Sequence, residues 1–307
     1  MNKLTQAIVE HAHAIAQEIG AEAVMFAADV LESAEELEEV VRGLNYRVVL
    51  VGRNSNVHDF PKLDSVTVIT VPDIPLSRLG QIKIAMVIAV AEKIFSRGDL
   101  VICLSGVQES DSLDMLTAIR IGEEVEFFVT DESNPLPPDV QPAVFERILS
   151  IASELATEGR EHRPVGAIFV LGDHDHVLEE SRQLIRNPFH GYTEEERNVL
   201  SDDLEETLKE YAAIDGAFII RGDGVLLSAG RYLMPKGKPA EQLRAGLGTR
   251  HEAAAAITAV TDAVAICLSQ STSTITIFNS GRVMTEIEKI RGGSDRWTRV
   301  HRPPENS

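Results

Sequence analysis

Two hydrophobic patterns alternate along the first 130 residues of the chain. Apolar residues at helical spacing, followed by Gly20, predict a helix over residues 4–19, and the capping-box pair Ser33 and Glu36 predicts the start of another. Further helices are predicted at 79–95 and 112–121, and short apolar runs predict strands at 23–27, 46–51, 65–71, 100–104 and 124–130. Because helices and strands alternate, we expect an α/β fold of βαβ units around a mostly parallel sheet.

A different order of elements follows in residues 142–290. Helices are predicted at 142–158, 193–211 and 250–265, and strands at 165–171, 217–220, 225–228, 265–268 and 274–278. The Arg-Gly-Asp-Gly sequence at 221–224 separates two of these strands and is typical of a hairpin turn. Since the strands occur in hairpins packed by helices, we expect a second α/β unit with a mixed sheet.

Composition predicts where the units meet. Residues 131–139 carry three prolines and no periodic apolar pattern, which is typical of a linker. The last segment is polar and contains glycine and proline, which is typical of a frayed end. We therefore expect a first domain at 1–130, a linker at 131–141, a second domain at 142–290 and a flexible tail at 291–307.

The overall charge excludes several classes of protein. A net charge of −19 argues against a nucleic-acid footprint and against adhesion to anionic membranes. The longest uninterrupted apolar run, 84–91, is far shorter than the roughly 18 residues needed to span a bilayer. Cys103 and Cys267 lie inside apolar strand-like runs, so we expect buried, reduced thiols and a cytoplasmic location.

One segment of this acidic chain is basic. Between residues 221 and 251, six Lys and Arg residues face only two acidic ones, a net charge of +4. This favours an anionic ligand such as a nucleotide phosphate, although a solvated loop would have the same composition. The segment ends at Gly248, Thr249, Arg250 and His251, directly before an alanine-rich helix. A helix N-terminus binds anions, but Thr249 with Glu252 also forms a capping-box pattern.

Five segments, in this order, resemble the catalytic core of the diadenylate cyclase family. The matching segments are 165–173, 187–191, 215–217, 248–251 and 269–271. The resemblance covers about residues 142–290 and implies an enzyme that joins two ATP molecules into the second messenger cyclic di-AMP and releases two pyrophosphates. Two nucleotides then face each other across a two-fold axis, which implies at least a homodimer, and by family analogy a larger oligomer.

The resemblance also implies roles for individual residues. Asp215 is expected to bind a divalent metal, Mn²⁺ or Mg²⁺ with Co²⁺ as an option, and to activate the attacking 3′-hydroxyl group. Arg250 and His251 are expected to hold the ATP phosphates, and His251 also to touch the metal. The other expected nucleotide contacts are Gly216, Ala217, Gly248, Thr249 and Ser269. On the residues alone, a carboxylate before a glycine is a metal ligand, a base or an ordinary turn.

Two departures from the family pattern keep an alternative open. Glu252 stands where many members have an arginine, and Ser-Gln-Ser at 269–271 stands where many have Ser-Glu-Glu. The cyclases that scan DNA integrity lack those glutamates too, so the first departure matters more. A nucleotide sensor that has lost catalysis is therefore the second hypothesis.

The N-terminal part resembles another known domain. Residues 97–106, preceded by a long predicted helix, resemble the C-terminal domain of pyruvate kinase, and archaeal diadenylate cyclases carry a domain of this type before the cyclase. The resemblance implies either a scaffold that fixes oligomer geometry or a regulatory site for a small anion near Ser105 and Gly106. A third hypothesis makes this domain the functional part of the chain.

Overall fold

The computed structural model describes residues 1–28, 31, 33–42, 46–53, 66–71, 77–106, 112–123, 136–160, 163–236 and 248–288. The predicted strand at 124–130, the first half of the predicted linker and the predicted tail lie outside these residues. No helix within the described ranges is long and apolar enough to cross a membrane.

A five-stranded sheet forms the N-terminal part. Its elements in chain order are α1 (Lys3–Ile19), β1 (Ala23–Ala27), α2 (Ala34–Val41), β2 (Arg47–Arg53), β3 (Val66–Val71), α3 (Arg78–Ala91), β4 (Leu100–Ser105) and β5 (Met115–Arg120). The strand order is β3-β2-β1-β4-β5. The first four strands run parallel, as predicted, and α2 begins at the predicted cap, where the Ser33 hydroxyl accepts from Glu36 N–H.

The predicted helix at 112–121 is wrong, because this segment contains β5. Strand β5 pairs antiparallel with β4 from Leu100↔Arg120 to Ser105↔Met115, so long-range backbone pairing outweighs the local pattern. Ser105 is buried at the carboxyl end of β4, next to β1, where the strand order reverses. The anion site predicted near this residue stays a prediction.

A seven-stranded mixed sheet forms the C-terminal part. Its elements are α4 (Pro142–Glu158), β6 (Ala167–Leu171), α5 (His174–Glu179), β7 (Ser181–Gln183), α6 (Glu205–Tyr211), β8 (Ala217–Ile220), β9 (Leu226–Leu233), α7 (Thr249–Val260), β10 (Val264–Leu268), β11 (Ile275–Asn279) and β12 (Arg282–Ile287). The strand order is β12-β11-β10-β6-β8-β9-β7, and β6 and β8 run parallel. The predicted β8–β9 hairpin is confirmed.

The predicted helix at 193–211 is only partly right. Its last part is α6, preceded by a 3₁₀ turn at Asp202–Leu204. Thr193 and Glu196 exchange hydrogen bonds of the capping-box type, but these bonds close a turn. The next residues are held to the β8–β9 hairpin, because Leu226 N–H donates to the Arg197 carbonyl at 2.8 Å. Bonding to the hairpin therefore replaces helical bonding here.

One apolar core extends across both sheets. Helix α3 is buried along almost its whole length, and its side chains share a cluster with those of α4 and β12. Leu136 and Val140 belong to this cluster although they lie in or next to the predicted linker, so its second half packs into the core. Lys83 of α3 crosses between the two parts and donates from Nζ to the Glu286 carbonyl of β12 at 3.2 Å.

Candidate functional site

A polar cavity opens at the N-terminus of α7, beside the turn between β10 and β11. Its volume is about 510 Å³. Six hydroxyl side chains line it, together with Arg250, His251 and two carboxylates: the hydroxyls are those of Thr249, Ser269, Ser271, Thr272, Thr274 and Thr276. Many neutral donors around a helix N-terminus suit a polyanion such as a triphosphate.

The first turn of α7 keeps backbone donors available for a ligand. Gly248 is the N-cap residue and supplies no side-chain capping bond. The capping box predicted for Thr249 and Glu252 therefore does not form, because the helix begins at Thr249 and the pattern is shifted by one residue. The positive end of the helix dipole thus faces the cavity without a side-chain capping bond from any described residue.

Asp215 is not among the described residues that line this cavity, but it is bonded to Arg250, which does line it. Arg250 Nη2 donates to Asp215 Oδ1 at 2.9 Å, and the Asp215 side chain is 88% exposed. The guanidinium also lies against the start of β6, since a Cβ added to Gly166 would stand 2.9 Å from Arg250 Nη1. Arg250 separates the cavity from a second one of about 340 Å³, which Arg160, Arg163 and Glu210 help to line.

A buried ion cluster fixes the chain that leads to Asp215. Lys209 of α6 is buried, and its ammonium bonds the carboxylates of Glu154 on α4 and Glu205 on α6, the latter at 2.5 Å. Burial alone would lower the pKa of Lys209, but its hydrogen bonds to these carboxylates outweigh that effect and raise it. Helix α6 is therefore tied to α4, and the turn after α6 leads to Asp215 just before β8, an interior strand of the sheet.

His251 is held inside the protein at the wall of the cavity. It is 6% exposed, and its ring meets the Phe278 ring edge-on at 6.0 Å between centroids. Burial lowers the pKa of His251, and the nearby negative charge of Glu286 partly opposes this. The imidazole is thus neutral near pH 7, the form that binds metals and accepts hydrogen bonds.

Close packing explains why the two residues after Asp215, Gly216 and Ala217, are small. Gly216 has φ +113°, and a Cβ added there would lie 2.6 Å from the Gly230 carbonyl carbon, so a side chain would collide with β9. Ala217 is buried in β8. Neither is among the described residues that line the two cavities. Their expected contact with the nucleotide stays a prediction.

Two of the six cations in the predicted basic segment are bonded elsewhere. Arg221 bonds Asp223 and Glu194, and Arg231 donates to Ser181 and to backbone carbonyls. Lys238 and Arg244 lie outside the described residues, as does Glu241. Of this segment, Arg250 is the described cation that reaches the polar cavity.

The described residues bring together no group of three or more His, Cys, Asp or Glu side chains that could hold a metal ion. The acidic and histidine residues at 173–176 make a local side-chain contact instead, in which His176 Nδ1 lies 2.7 Å from Asp173 Oδ1. Asp215 offers an exposed carboxylate oxygen. Mg²⁺-type ions are often held by one or two carboxylates together with substrate phosphates, so this residue fits such a site.

Sequence reasoning missed several residues of the cavity wall, among them Thr276 and Glu286. Thr276 of β11 lies directly opposite Glu286 of β12, and both line the cavity. The Thr276 hydroxyl is buried and has no hydrogen-bond partner among the described residues. Threonine and isoleucine alternate along residues 274–277. This pattern places Thr276 on the opposite face of the strand from Ile275 and Ile277 and could have identified it. Glu286 was missed because β12 was not predicted.

Two family models match the chain. Residues 154–283 match the model described as DisA bacterial checkpoint controller nucleotide-binding. Residues 4–129 match the model described as probable sensor domain DacZ_P. The first match contains the residues that line the polar cavity except Glu286 and Glu288, and the second contains the N-terminal sheet.

Curated relatives extend the similarity over most of the chain. The diadenylate cyclase of Methanocaldococcus jannaschii is 34% identical over 201 residues, which are 65% of this chain and 63% of the relative. That of Haloferax volcanii is 31% identical over 270 residues, which are 83% of this chain and 97% of the relative. Among solved structures, DacA from Staphylococcus aureus is 21% identical with a TM-score of 0.31, covering 52% of this chain and 94% of that one.

The fold places a polar cavity at the N-terminus of α7, and this part of the chain matches a model described as nucleotide-binding. Together these findings define a nucleotide-binding α/β protein. At 31% identity, the match spans nearly the whole length of the Haloferax volcanii relative. The chain belongs to the diadenylate cyclase family.

Proposed function

We propose that this chain condenses two ATP molecules into cyclic di-AMP and releases two pyrophosphates. The observation that carries the proposal is the bond of Arg250 to Asp215 at 2.9 Å, beside a polar cavity at a helix N-terminus. This bond places the Asp215 carboxylate, which would act on the attacking hydroxyl group, next to the Arg250 guanidinium, which would bind the phosphate under attack. Such a reaction needs little from the protein beyond orientation and charge stabilisation.

The polar cavity is the proposed site of the triphosphate. Backbone donors at Gly248 and Thr249, the guanidinium of Arg250 and the hydroxyl of Ser269 bind phosphate oxygens there. His251 lies in the first turn of α7 on the same wall. Asp215 orients the 3′-hydroxyl group and accepts its proton, and the ribose lies near Gly216 and Ala217.

A divalent cation completes the proposed site, with Mn²⁺ or Mg²⁺ preferred and Co²⁺ as an option. Asp215 and His251 are the protein residues that would hold it, and phosphate oxygens of ATP would supply further ligands. When bound, the metal neutralises phosphate charge and makes the 3′-hydroxyl group more acidic.

The reaction is symmetric, so two copies of the site must face each other. Asp215 is 88% exposed, which leaves it open to a nucleotide held by a second protomer. We therefore propose self-association, with a dimer as the minimum and a larger oligomer through the N-terminal part. The cytoplasm is the proposed location, and nucleic acids and membranes are not proposed partners.

A nucleotide sensor without turnover is the second candidate, and Glu252 favours it. This residue is exposed in the first turn of α7, where many family members carry a second arginine. Its negative charge would weaken phosphate binding at that position. Tight ATP binding without product would distinguish the sensor from the enzyme.

The test is mass spectrometry of purified protein incubated with ATP and Mn²⁺. Wild type is compared with Asp215→Asn and with Asp175→Asn, a control whose carboxylate is similarly exposed at 86%. We expect cyclic di-AMP from wild type and Asp175→Asn, and none from Asp215→Asn at an unchanged thermal midpoint. Undiminished product from Asp215→Asn would refute the role of Asp215, and ATP binding without product in wild type would support the sensor.

A further inference from the structure

Thr276, in the middle of β11, carries a buried hydroxyl group that no described residue bonds. The residue is 1% exposed, and its Oγ1 finds neither donor nor acceptor among the described residues. Buried polar groups are rarely left unpaired, because the lost contact with water is normally replaced by a hydrogen bond. Six described side-chain atoms share this property, and Thr276 is the only one of these six residues that lines either of the two cavities.

The sheet offers this hydroxyl group no substitute partner. Thr276 is paired with Cys267 of β10 on one side and with Glu286 of β12 on the other, so the backbone groups around it are engaged in the strand ladder. A buried threonine in a helix finds an acceptor locally, as the Thr258 hydroxyl does by donating to the Ala254 carbonyl at 2.9 Å. For Thr276 the cavity is the remaining source of a partner.

The face of β11 that carries Thr276 is the face that α7 covers. Side chains two residues apart in a strand point to the same side of the sheet, so Thr276 shares its face with Phe278. The His251 ring meets the Phe278 ring edge-on at 6.0 Å between centroids. His251 and Gly248 line the cavity together with Thr276. The hydroxyl group therefore belongs to the same cavity as the backbone donors in the first turn of α7.

Two carboxylates limit what the ligand can be. Glu286 lies directly opposite Thr276, and Glu288 follows two residues later; both line the cavity. Their negative charges would repel a bare phosphate group. A phosphate group that is bound to a divalent cation carries less negative charge, and Mg²⁺ is commonly held by substrate phosphates together with carboxylates. A phosphate oxygen in such a complex is a suitable acceptor for the hydroxyl group.

We propose that Thr276 is a further ligand-binding residue of the polar cavity, whose hydroxyl group donates a hydrogen bond to a phosphate oxygen of a metal-complexed nucleotide. The identity of the nucleotide rests on the proposed function, whereas the hydrogen bond is testable without turnover. The unpaired hydroxyl group lowers the stability of the empty chain, and the bound ligand satisfies it.

The test compares three variants of the full-length chain. Thr276→Val removes the hydroxyl group at nearly constant volume, and Thr276→Ser keeps it. Thr285→Val is the matched control, because the Thr285 hydroxyl of β12 is also buried without a partner among the described residues. Thr285 pairs with Ile277, on the other face of the sheet, and is not among the residues that line the two cavities.

The first measurement is calorimetric titration with an ATP analogue in which carbon replaces the oxygen between the α- and β-phosphates, so that no pyrophosphate can leave. With excess Mg²⁺ we expect Kd to rise about tenfold in Thr276→Val and to stay within about threefold of wild type in Thr276→Ser and Thr285→Val. With a chelator in place of Mg²⁺ we expect weak binding and no difference between wild type and Thr276→Val. An unchanged Kd in Thr276→Val, an equal rise in Thr285→Val or a difference that persists under chelation would overturn the proposal.

The second measurement is the thermal midpoint without ligand. We expect Thr276→Val and Thr285→Val each to raise it by about 1–3 °C, because each removes an unpaired buried hydroxyl group. The analogue with Mg²⁺ should then stabilise Thr276→Val less than Thr285→Val. A lower midpoint in ligand-free Thr276→Val would show that the hydroxyl group already has a partner within the chain, and would overturn the proposal.

These outcomes separate the proposal from the proposed function. A weaker Kd in Thr276→Val of a chain that makes no cyclic di-AMP would support the role of Thr276 and refute the enzyme activity. An unchanged Kd in an active enzyme would refute the role of Thr276 alone.

Discussion

Arg250 donates a hydrogen bond to Asp215, with Nη2 and Oδ1 separated by 2.9 Å, although the two residues are 35 positions apart in the sequence. The cation expected to bind phosphate thus holds the carboxylate expected to bind metal. A nucleotide that binds in the polar cavity has to share or break this pair. The geometry of the guanidinium therefore matters as much as its charge.

Replacing Arg250 by lysine tests this geometry. Lysine keeps the positive charge but lacks the planar fork that reaches Asp215 and a phosphate together. We expect kcat/KM for cyclic di-AMP formation to fall by roughly 10- to 100-fold, with little change in the thermal midpoint. Arg186→Lys, at an exposed position away from both cavities, is the control. Wild-type kcat/KM in Arg250→Lys would contradict the assignment.

Replacing Gly166 by alanine should move Arg250 without unfolding the protein. The new Cβ would lie 2.9 Å from Arg250 Nη1, the far end of a flexible side chain, and 3.0 Å from Gln270 Cβ. We expect KM for ATP to rise several-fold and stability to change by less than about 1 kcal/mol. Kinetics of Gly166→Ala combined with Arg250→Ala provide the check. If Gly166→Ala still raises KM for ATP when Arg250 is also replaced by alanine, the effect of Gly166→Ala does not depend on the guanidinium.

The carboxyls of Glu92, at the end of α3, and Glu146, on α4, predict a pH dependence of stability. Burial raises the pKa of Glu146 to about 7, and the negative charge of Glu92 adds to this effect. The folded chain therefore holds this proton more tightly than the unfolded chain does. The resulting stabilisation is complete below the usual pKa of 4.5 and is lost as the pH rises to about 7.

Glu146→Gln should remove this contribution. Urea titrations at pH 5 and pH 8 measure the difference in free energy of unfolding, and we expect it to shrink by about 1–2 kcal/mol, allowing for partial exposure of the carboxyl. Glu158→Gln, at the exposed end of the same helix, should keep the wild-type dependence. Identical pH dependence in Glu146→Gln and wild type would rule out the contribution.

Chelation should separate activity from folding. The described residues contain no cluster that could hold a metal ion as a structural element, so a chelator should leave the thermal midpoint unchanged. We expect it to abolish cyclic di-AMP formation, and Mn²⁺, Mg²⁺ and Co²⁺ to restore it to different extents. Product that persists after chelation would refute the proposed role of a metal.

Local sequence patterns predicted the helices and turns whose conformation depends on interactions between residues close in the sequence. The helix 142–158 was predicted with its observed bounds, and the β8–β9 hairpin follows from its turn residues. Strand β5 could not be recognised, because its conformation depends on pairing with β4. Family resemblance implied that Asp215 and Arg250 belong to one site, but their hydrogen bond was not predicted. The bond of Lys83 to Glu286 spans 203 residues, and no local pattern predicts such a contact.

Helix α3 has a consequence for how this chain could be divided or recombined. One side of it covers the N-terminal sheet, and the other side contacts α4 and β12. A fragment ending at residue 130 would expose that second side to water as an apolar patch, which favours aggregation. For the same reason, an unrelated domain could not simply have replaced the N-terminal part in an ancestor of this chain. A replacement would have to bring a helix of matching shape, so the two parts are constrained to evolve together.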